Sequence, residues 1–266
     1  MAEPQPQPQP QPQPPPPLPP WPHATAMPAA EAFEGTWRRS GGGLRQDQQA
    51  AVFSFLEAAY AMPHRHYHTM QHILEGLSFV GMCLLSGRSF EDQAAVEWAI
   101  WTHDLVYDAR ATDNERRSAD AAAELLEGVG LPPATVARMR SLILETATHM
   151  HSGDRDAHVV VDADLAVLGA PLGRYMDYVT GVRREYGHLS DEEWAEGRCR
   201  FLRSLLDREQ LFATDVGKGL CEAQARANLS HELQLLSCGL PVVAQLEGEL
   251  PAVAEGEEGE EEAAAA

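Results

Sequence analysis

A histidine and an aspartate stand side by side in Trp98-Ala-Ile-Trp-Thr-His-Asp-Leu-Val-Tyr-Asp108, where Ile100, Trp101 and Leu105, with Val96 just upstream, recur at helical spacing and demand burial. An ionised carboxylate in such a place is costly unless a partner or a metal compensates it, which makes His103 and Asp104 candidate ligands. Upstream, Arg65-His-Tyr-His-Thr-Met-Gln-His72 sets His68 and His72 four residues apart, about 40° apart on one face if the segment is helical. Downstream, Asp162 and Asp164 interrupt the apolar run Val159-Val-Val-Asp-Ala-Asp-Leu-Ala-Val-Leu168. Nitrogen and oxygen donors without a thiolate suit a divalent manganese, iron, cobalt, nickel or zinc ion with positions open to water, and argue against a closed structural zinc site. Taken singly, each residue is more often a satisfied buried histidine or a capping aspartate, so the metal reading rests on their joint occurrence.

The elements that must position these residues read as helices nearly throughout. Val52, Phe53, Leu56 and Tyr60 form one apolar face that Met62-Pro63 ends, and a second helix is expected over residues 67–85, closed by Gly87. A central helix is expected from about Phe90 to Asp108. Thr112-Asp113-Asn114-Glu115 then caps another that Gly128 and Gly130 terminate. Pro132 and Pro133 open the next, which ends near His149. Residues 157–168 are short and Val-rich, so strand and buried helix compete; helix is preferred because no second strand is available to pair. Helices over 171–186, 191–209 and 222–236 complete the array, the second opening on a capping-box-like Ser190-Asp-Glu-Glu. The fold class is all-α, a helical bundle with disordered N- and C-terminal tails.

Composition bounds the rest. The 266 residues carry 40 acidic against 20 basic side chains, a formal charge of −20, and eight of the acids lie between Glu247 and Glu262. That balance argues against non-specific nucleic-acid binding, which depends on Lys and Arg neutralising phosphates. Residues 1–34 are expected to be a disordered Pro/Gln-rich tail, 35–246 one helical domain, and 247–266 a disordered acidic tail. The Pro-Pro-Pro-Leu-Pro-Pro-Trp-Pro stretch ending at Pro22 is of a kind that docks in the aromatic groove of a proline-binding domain, with a solvated tail as the plainer reading. Trp37 is a candidate anchor on the core, and Gly41-Gly42-Gly43 reads as the last flexible joint before regular structure. Cys83, Cys199, Cys221 and Cys238 form no close pair, so four free thiols in a reducing compartment are expected. The N-terminus lacks a signal-peptide pattern and no apolar run approaches a membrane span, so the expected location is cytoplasmic or otherwise intracellular, and soluble.

The order His72, His103-Asp104, Asp164 resembles the H…HD…D signature of the HD superfamily of metal-dependent phosphohydrolases. The segments RHYHTMQHI, AIWTHDLVYD, TDNERRSA and VVDADLAVLG resemble, more narrowly, its branch of predicted metal-dependent HD phosphohydrolases. The resemblance covers about residues 44–236. It implies an all-helical HD fold, a divalent metal and hydrolysis of a small phosphorylated substrate, a nucleotide or other phosphoester, with no substrate established for the branch. It also implies His72 as the first ligand in preference to His68, His103 and Asp104 as the doublet, and Asp164 in preference to Asp162 as the distal carboxylate. Some HD enzymes hold a second metal on extra histidines, a role for which His149 is the candidate; a helix-terminal histidine stabilised by the dipole is its alternative. Metal-activated water would attack the phosphoryl group. Asp104 then joins the catalytic candidates with Asp108, one turn beyond it, as water-orienting group or general acid–base. Arg65 is a candidate phosphate clamp, against a surface ion pair, and Glu115 a support for the ligands, against a favourable first-turn acid. The competing functional class is a metal- and nucleotide-binding HD regulatory protein without turnover, and a more distant one is an adaptor working through its tails.

Overall fold

The computed structural model describes residues 28–41, 45–150 and 152–238. Among them are eleven α-helices, a 3-10 turn at residues 166–169 and no strand. The helices are α1 (Ala29–Arg39), α2 (Gln46–Tyr60), α3 (Met70–Leu85), α4 (Gln93–Thr102), α5 (Asn114–Gly128), α6 (Pro133–Thr146), α7 (Arg155–Leu165), α8 (Leu172–Glu185), α9 (Asp191–Leu206), α10 (Asp215–Leu220) and α11 (Glu222–Ser237). The all-α expectation holds, and the Val-rich segment is helical, as α7. The proline-rich stretch, Gly42 and Gly43 of the joint, and the acidic tail lie outside the described residues.

Helix α4 is the axis of the bundle. Every residue from Ala95 to Thr102 is buried, and α1, α3, α6 and α7 all pack against it. A helix apolar on all sides can be stable only if enclosed in this way. Its buried Glu97 accepts from Thr36 Oγ1 at 2.7 Å, Arg39 at 2.7 and 3.0 Å and Gln93 Nε2 at 2.8 Å, which fastens α1 across it. Phe33, 1% exposed, meets Trp98 and Trp101 edge-on at 5.6 and 5.3 Å, and Trp37 is buried beside them. The folded domain therefore begins at least six residues before the expected boundary at Gly35, because Phe33 supplies an aromatic side that α4 requires.

Several helices are shorter than expected, and the shortened ends of two of them shape the site. Helix α4 stops at Thr102 rather than Asp108. The Trp101 carbonyl accepts the Tyr60 hydroxyl at 2.8 Å, Leu105 N–H turns back to the Thr102 carbonyl at 3.1 Å, and Ser118 Oγ takes up both the amide and the carbonyl of Val106. Helix α3 starts at Met70 rather than Tyr67, because the amides of His66, Tyr67 and His68 are held by the Glu185 carboxylate at 2.7, 2.7 and 3.0 Å. His68 and His72 therefore do not share a helix face.

The C-terminal half closes over α7. The carboxylate of Asp162 accepts from Ala213 N–H, Thr214 N–H and Thr214 Oγ1, anchoring the start of α10. Asn228 of α11 donates to the Leu168 and Ala170 carbonyls, each at 2.8 Å. Gly169 lies so close to α11 that a Cβ there would stand 2.5 Å from Cys221 Cα. Cys83, Cys199, Cys221 and Cys238 are free thiols, and no described helix is long and apolar enough to cross a membrane.

Candidate metal centre

Three helix ends and one loop bring the centre together. His72 is the third residue of α3, His103 caps the C-terminus of α4, Asp104 follows it in the turn, and Asp164 is the penultimate residue of α7. His103 Nδ1 lies 3.0 Å from the Ile100 carbonyl, which can only accept, so Nδ1 carries the proton and the lone pair of the neutral ring is on Nε2. That Nε2 stands 3.0 Å from His72 Nε2, whose own Nδ1 contacts the Tyr67 hydroxyl at 3.0 Å. The ligand atoms of His72, His103 and Asp104 all lie within 4.8 Å of one another. Asp164 lies outside that three-residue group but close to both imidazoles, its Oδ1 3.3 Å from His72 Nε2 and 3.5 Å from His103 Nε2.

The electrostatics match a place built for a cation. Burial opposes ionisation of Asp104, but the charges of His103 and His68 outweigh it and hold the carboxyl below its usual range. Asp164 is held well below its range against burial by hydrogen bonds from His103, His149 and His72. Burial likewise opposes the charge on His103, and Asp104 and Asp164 drive its basicity well up regardless. Asp104 Oδ2 is buried and has no hydrogen-bond partner. A buried carboxylate oxygen without a donor, beside two imidazole nitrogens that converge, is a donor set that a divalent ion satisfies.

The ambiguous neighbours separate cleanly. Asp162 points to the α10 loop and Asp164 to the histidines, so Asp164 is the carboxylate at the centre. His68 donates its Nδ1–H to Glu185 Oε2 at 2.6 Å and packs against Tyr107, the rings tilted by 31° with centroids 4.2 Å apart. It lines the cavity above the centre and lies outside the three-residue ligand group. His149 Nε2 lies 3.0 Å from Asp164 Oδ2, so it braces the distal carboxylate. Its backbone has φ 48°, a left-handed conformation that costs a non-glycine residue of order 1 kcal/mol, and the Arg208 guanidinium holds its carbonyl at 2.6 Å.

The cavity over the centre measures about 560 Å³ and is lined by His68, His103, Asp104, His149 and Asp164 together with the aromatic Tyr178, Tyr186, Trp194 and Phe201. Glu115, in the first turn of α5, lines it too. Arg198 reaches its wall already paired with Glu232 and with the Tyr178 hydroxyl.

Two expected site residues are not there. Arg65 is buried, donates to the His68 and Leu105 carbonyls at 3.1 and 3.0 Å, and does not line the cavity. It pins the two ligand-bearing turns to each other, which is a positioning task and leaves no fork for phosphate. Asp108 is exposed beside a different cavity, with Oδ1 accepting the Arg110 N–H at 2.9 Å, because α4 ends before carrying it one turn past Asp104. Glu185 and Tyr67, which orient His68 and His72, carried no sequence signal; each is defined by a contact that spacing does not reveal.

No protein-family model, no curated protein and no solved structure matches this chain.

Proposed function

We propose that the protein is a metal-dependent phosphohydrolase acting on a small phosphoester, with the ion held by His72, His103, Asp104 and Asp164. The observation that carries the metal reading is the convergence of the His103 and His72 Nε2 atoms at 3.0 Å beside Asp104 Oδ2, which is buried, accepts no hydrogen bond and lies 3.2 and 3.5 Å from those nitrogens. The H…HD…D order of these ligands supports phosphoester hydrolysis over other metal chemistry, and a cavity of about 560 Å³ suits a small organic substrate. When bound, a divalent cation supplies a Lewis acid that acidifies water and offsets charge on phosphate oxygens.

The chain's own residues do the rest. Tyr67 and the Ile100 carbonyl fix the two imidazoles, and His149 and Arg208 hold Asp164 and its neighbouring turn. His68, with Nδ1–H committed to Glu185, presents Nε2 as the group that exchanges a proton with the leaving oxygen. Glu115 offers a carboxylate from which an attacking water takes its orientation. The aromatic side excludes solvent from the leaving group.

The test begins with elemental analysis of the purified full chain beside Asp104→Ala, then a phosphoester screen of the wild type reloaded with manganese, iron, cobalt, nickel or zinc. Metal in the wild type alone, with turnover that Asp104→Ala lacks, supports the proposal. Absence of metal after reloading removes it. Bound metal with nucleotide-induced stabilisation and no hydrolysis of any ester would replace it with the regulatory, binding-protein reading.

A further inference from the structure

We infer that the protein has a second ligand site, for a small phosphate-bearing anion, in a cavity of about 450 Å³ that shares only the Tyr107 wall with the metal cavity. Arg110, Arg184, His64 and His188 line it. In a chain with 40 acidic and 20 basic residues, carboxylates are in excess. Arg138, Arg174, Arg183, Arg198 and Arg226 each hold one. The guanidiniums of Arg110 and Arg184 hold none among the described residues, although their cavity has two carboxylates on its walls. Of these, Glu185 is saturated by other donors, and Asp108 pairs with a backbone amide and not with a guanidinium. Asp108 Oδ1 accepts the Arg110 backbone N–H, and Glu185 takes three amides, the His68 ring and the Tyr107 hydroxyl.

The guanidiniums of Arg110 and Arg184 line the same cavity, and a guanidinium is a planar, multidentate donor of the kind that recognises phosphate. His64 donates Nε2–H to the Tyr107 carbonyl at 3.1 Å, and its ring lies parallel to the Tyr107 ring, which fixes its place on that wall. The net charge of −20 on the chain argues against a nucleic-acid backbone as the occupant. The space is larger than bare phosphate fills, so the ligand class is a phosphorylated small molecule, with inorganic phosphate as its simplest member.

The site is tested by calorimetric titration of the full chain, in chelator, with inorganic phosphate and with glycerol 3-phosphate. Wild type, Asp104→Ala and the double variant Arg110→Gln/Arg184→Gln are compared. Both arginines are exposed, and a thermal melt of the double variant confirms its fold. Wild type and Asp104→Ala should bind alike, and the double variant at least tenfold more weakly. Tighter binding of glycerol 3-phosphate than of inorganic phosphate would identify an organic phosphate as the ligand, and equal binding a free one. Undiminished binding in the double variant, or no binding by the wild type, overturns the inference. Loss in Asp104→Ala alone would place the phosphate at the metal centre and also overturn it. None of these outcomes depends on catalysis at the metal centre.

Discussion

Replacing Glu185 by Gln removes a charge while keeping the shape of the group that organises the approach to the centre. The Glu185 side chain is fully buried, and five donors from residues 66 to 107 converge on it. Burial raises its pKa, but the His68 hydrogen bond and charge and the backbone amides outweigh that and bring it from 4.5 to about 2. A depression of that size corresponds to roughly 3 kcal/mol of folding stability, since each unit is worth about 1.4 kcal/mol. Because the folded-state pKa is the lower one, the contribution is fully present above pH 4.5 and is lost as the pH falls toward about 2. At neutral pH, Glu185→Gln should therefore lower the unfolding free energy by roughly 3 kcal/mol, or the melting temperature by about 6 to 12 °C for a domain of this size. Urea unfolding of both proteins from pH 7 down to pH 3 measures the difference, which should narrow steadily below pH 4.5. A difference under about 0.5 kcal/mol at pH 7, where surface changes fall, or one of constant size across the range, would refute the assignment of Glu185 as a charged organiser.

Other perturbations separate the parts of the fold from the parts of the site. Asp162→Ala should cost roughly 3 kcal/mol, by stranding the Thr214 and Ala213 donors, while leaving metal content unchanged by elemental analysis. Asp164→Ala should do the reverse, losing metal with a smaller change in urea midpoint. Gly169→Ala should destabilise by about 2 kcal/mol or more, because its Cβ would overlap the Cys221 backbone at 2.5 Å. Gly81→Ala, where a Cβ meets nothing within 4 Å in the middle of α3, should stabilise by about 1 kcal/mol in the same unfolding assay.

The helical fold was legible because apolar spacing is a local signal. The segments now seen as α2, α4 and α7 each declared a buried face, and Ser190 with Glu193 forms the capping box that its spacing predicts. The candidate ligands were legible for the opposite reason: His103, Asp104 and Asp164 violate their apolar surroundings, and a violation at the right chemistry marks a candidate site. Helix ends were not legible, and the misplaced residues follow from them. Asp108 falls away from the centre because Tyr60 and Ser118 take the carbonyls that a longer α4 needs for its own amides. His68 leaves the ligand face because Glu185, 117 residues away, binds both its amide and its ring and holds it in the turn before α3. Arg65 read as an ion-pairing or phosphate-binding group because its charge is visible in sequence, whereas the carbonyls of His68 and Leu105 that it serves appear only once two turns are folded against each other. Spacing thus identifies which side chains are out of place in a core, and the buried partners that receive them decide which of those side chains face the candidate centre.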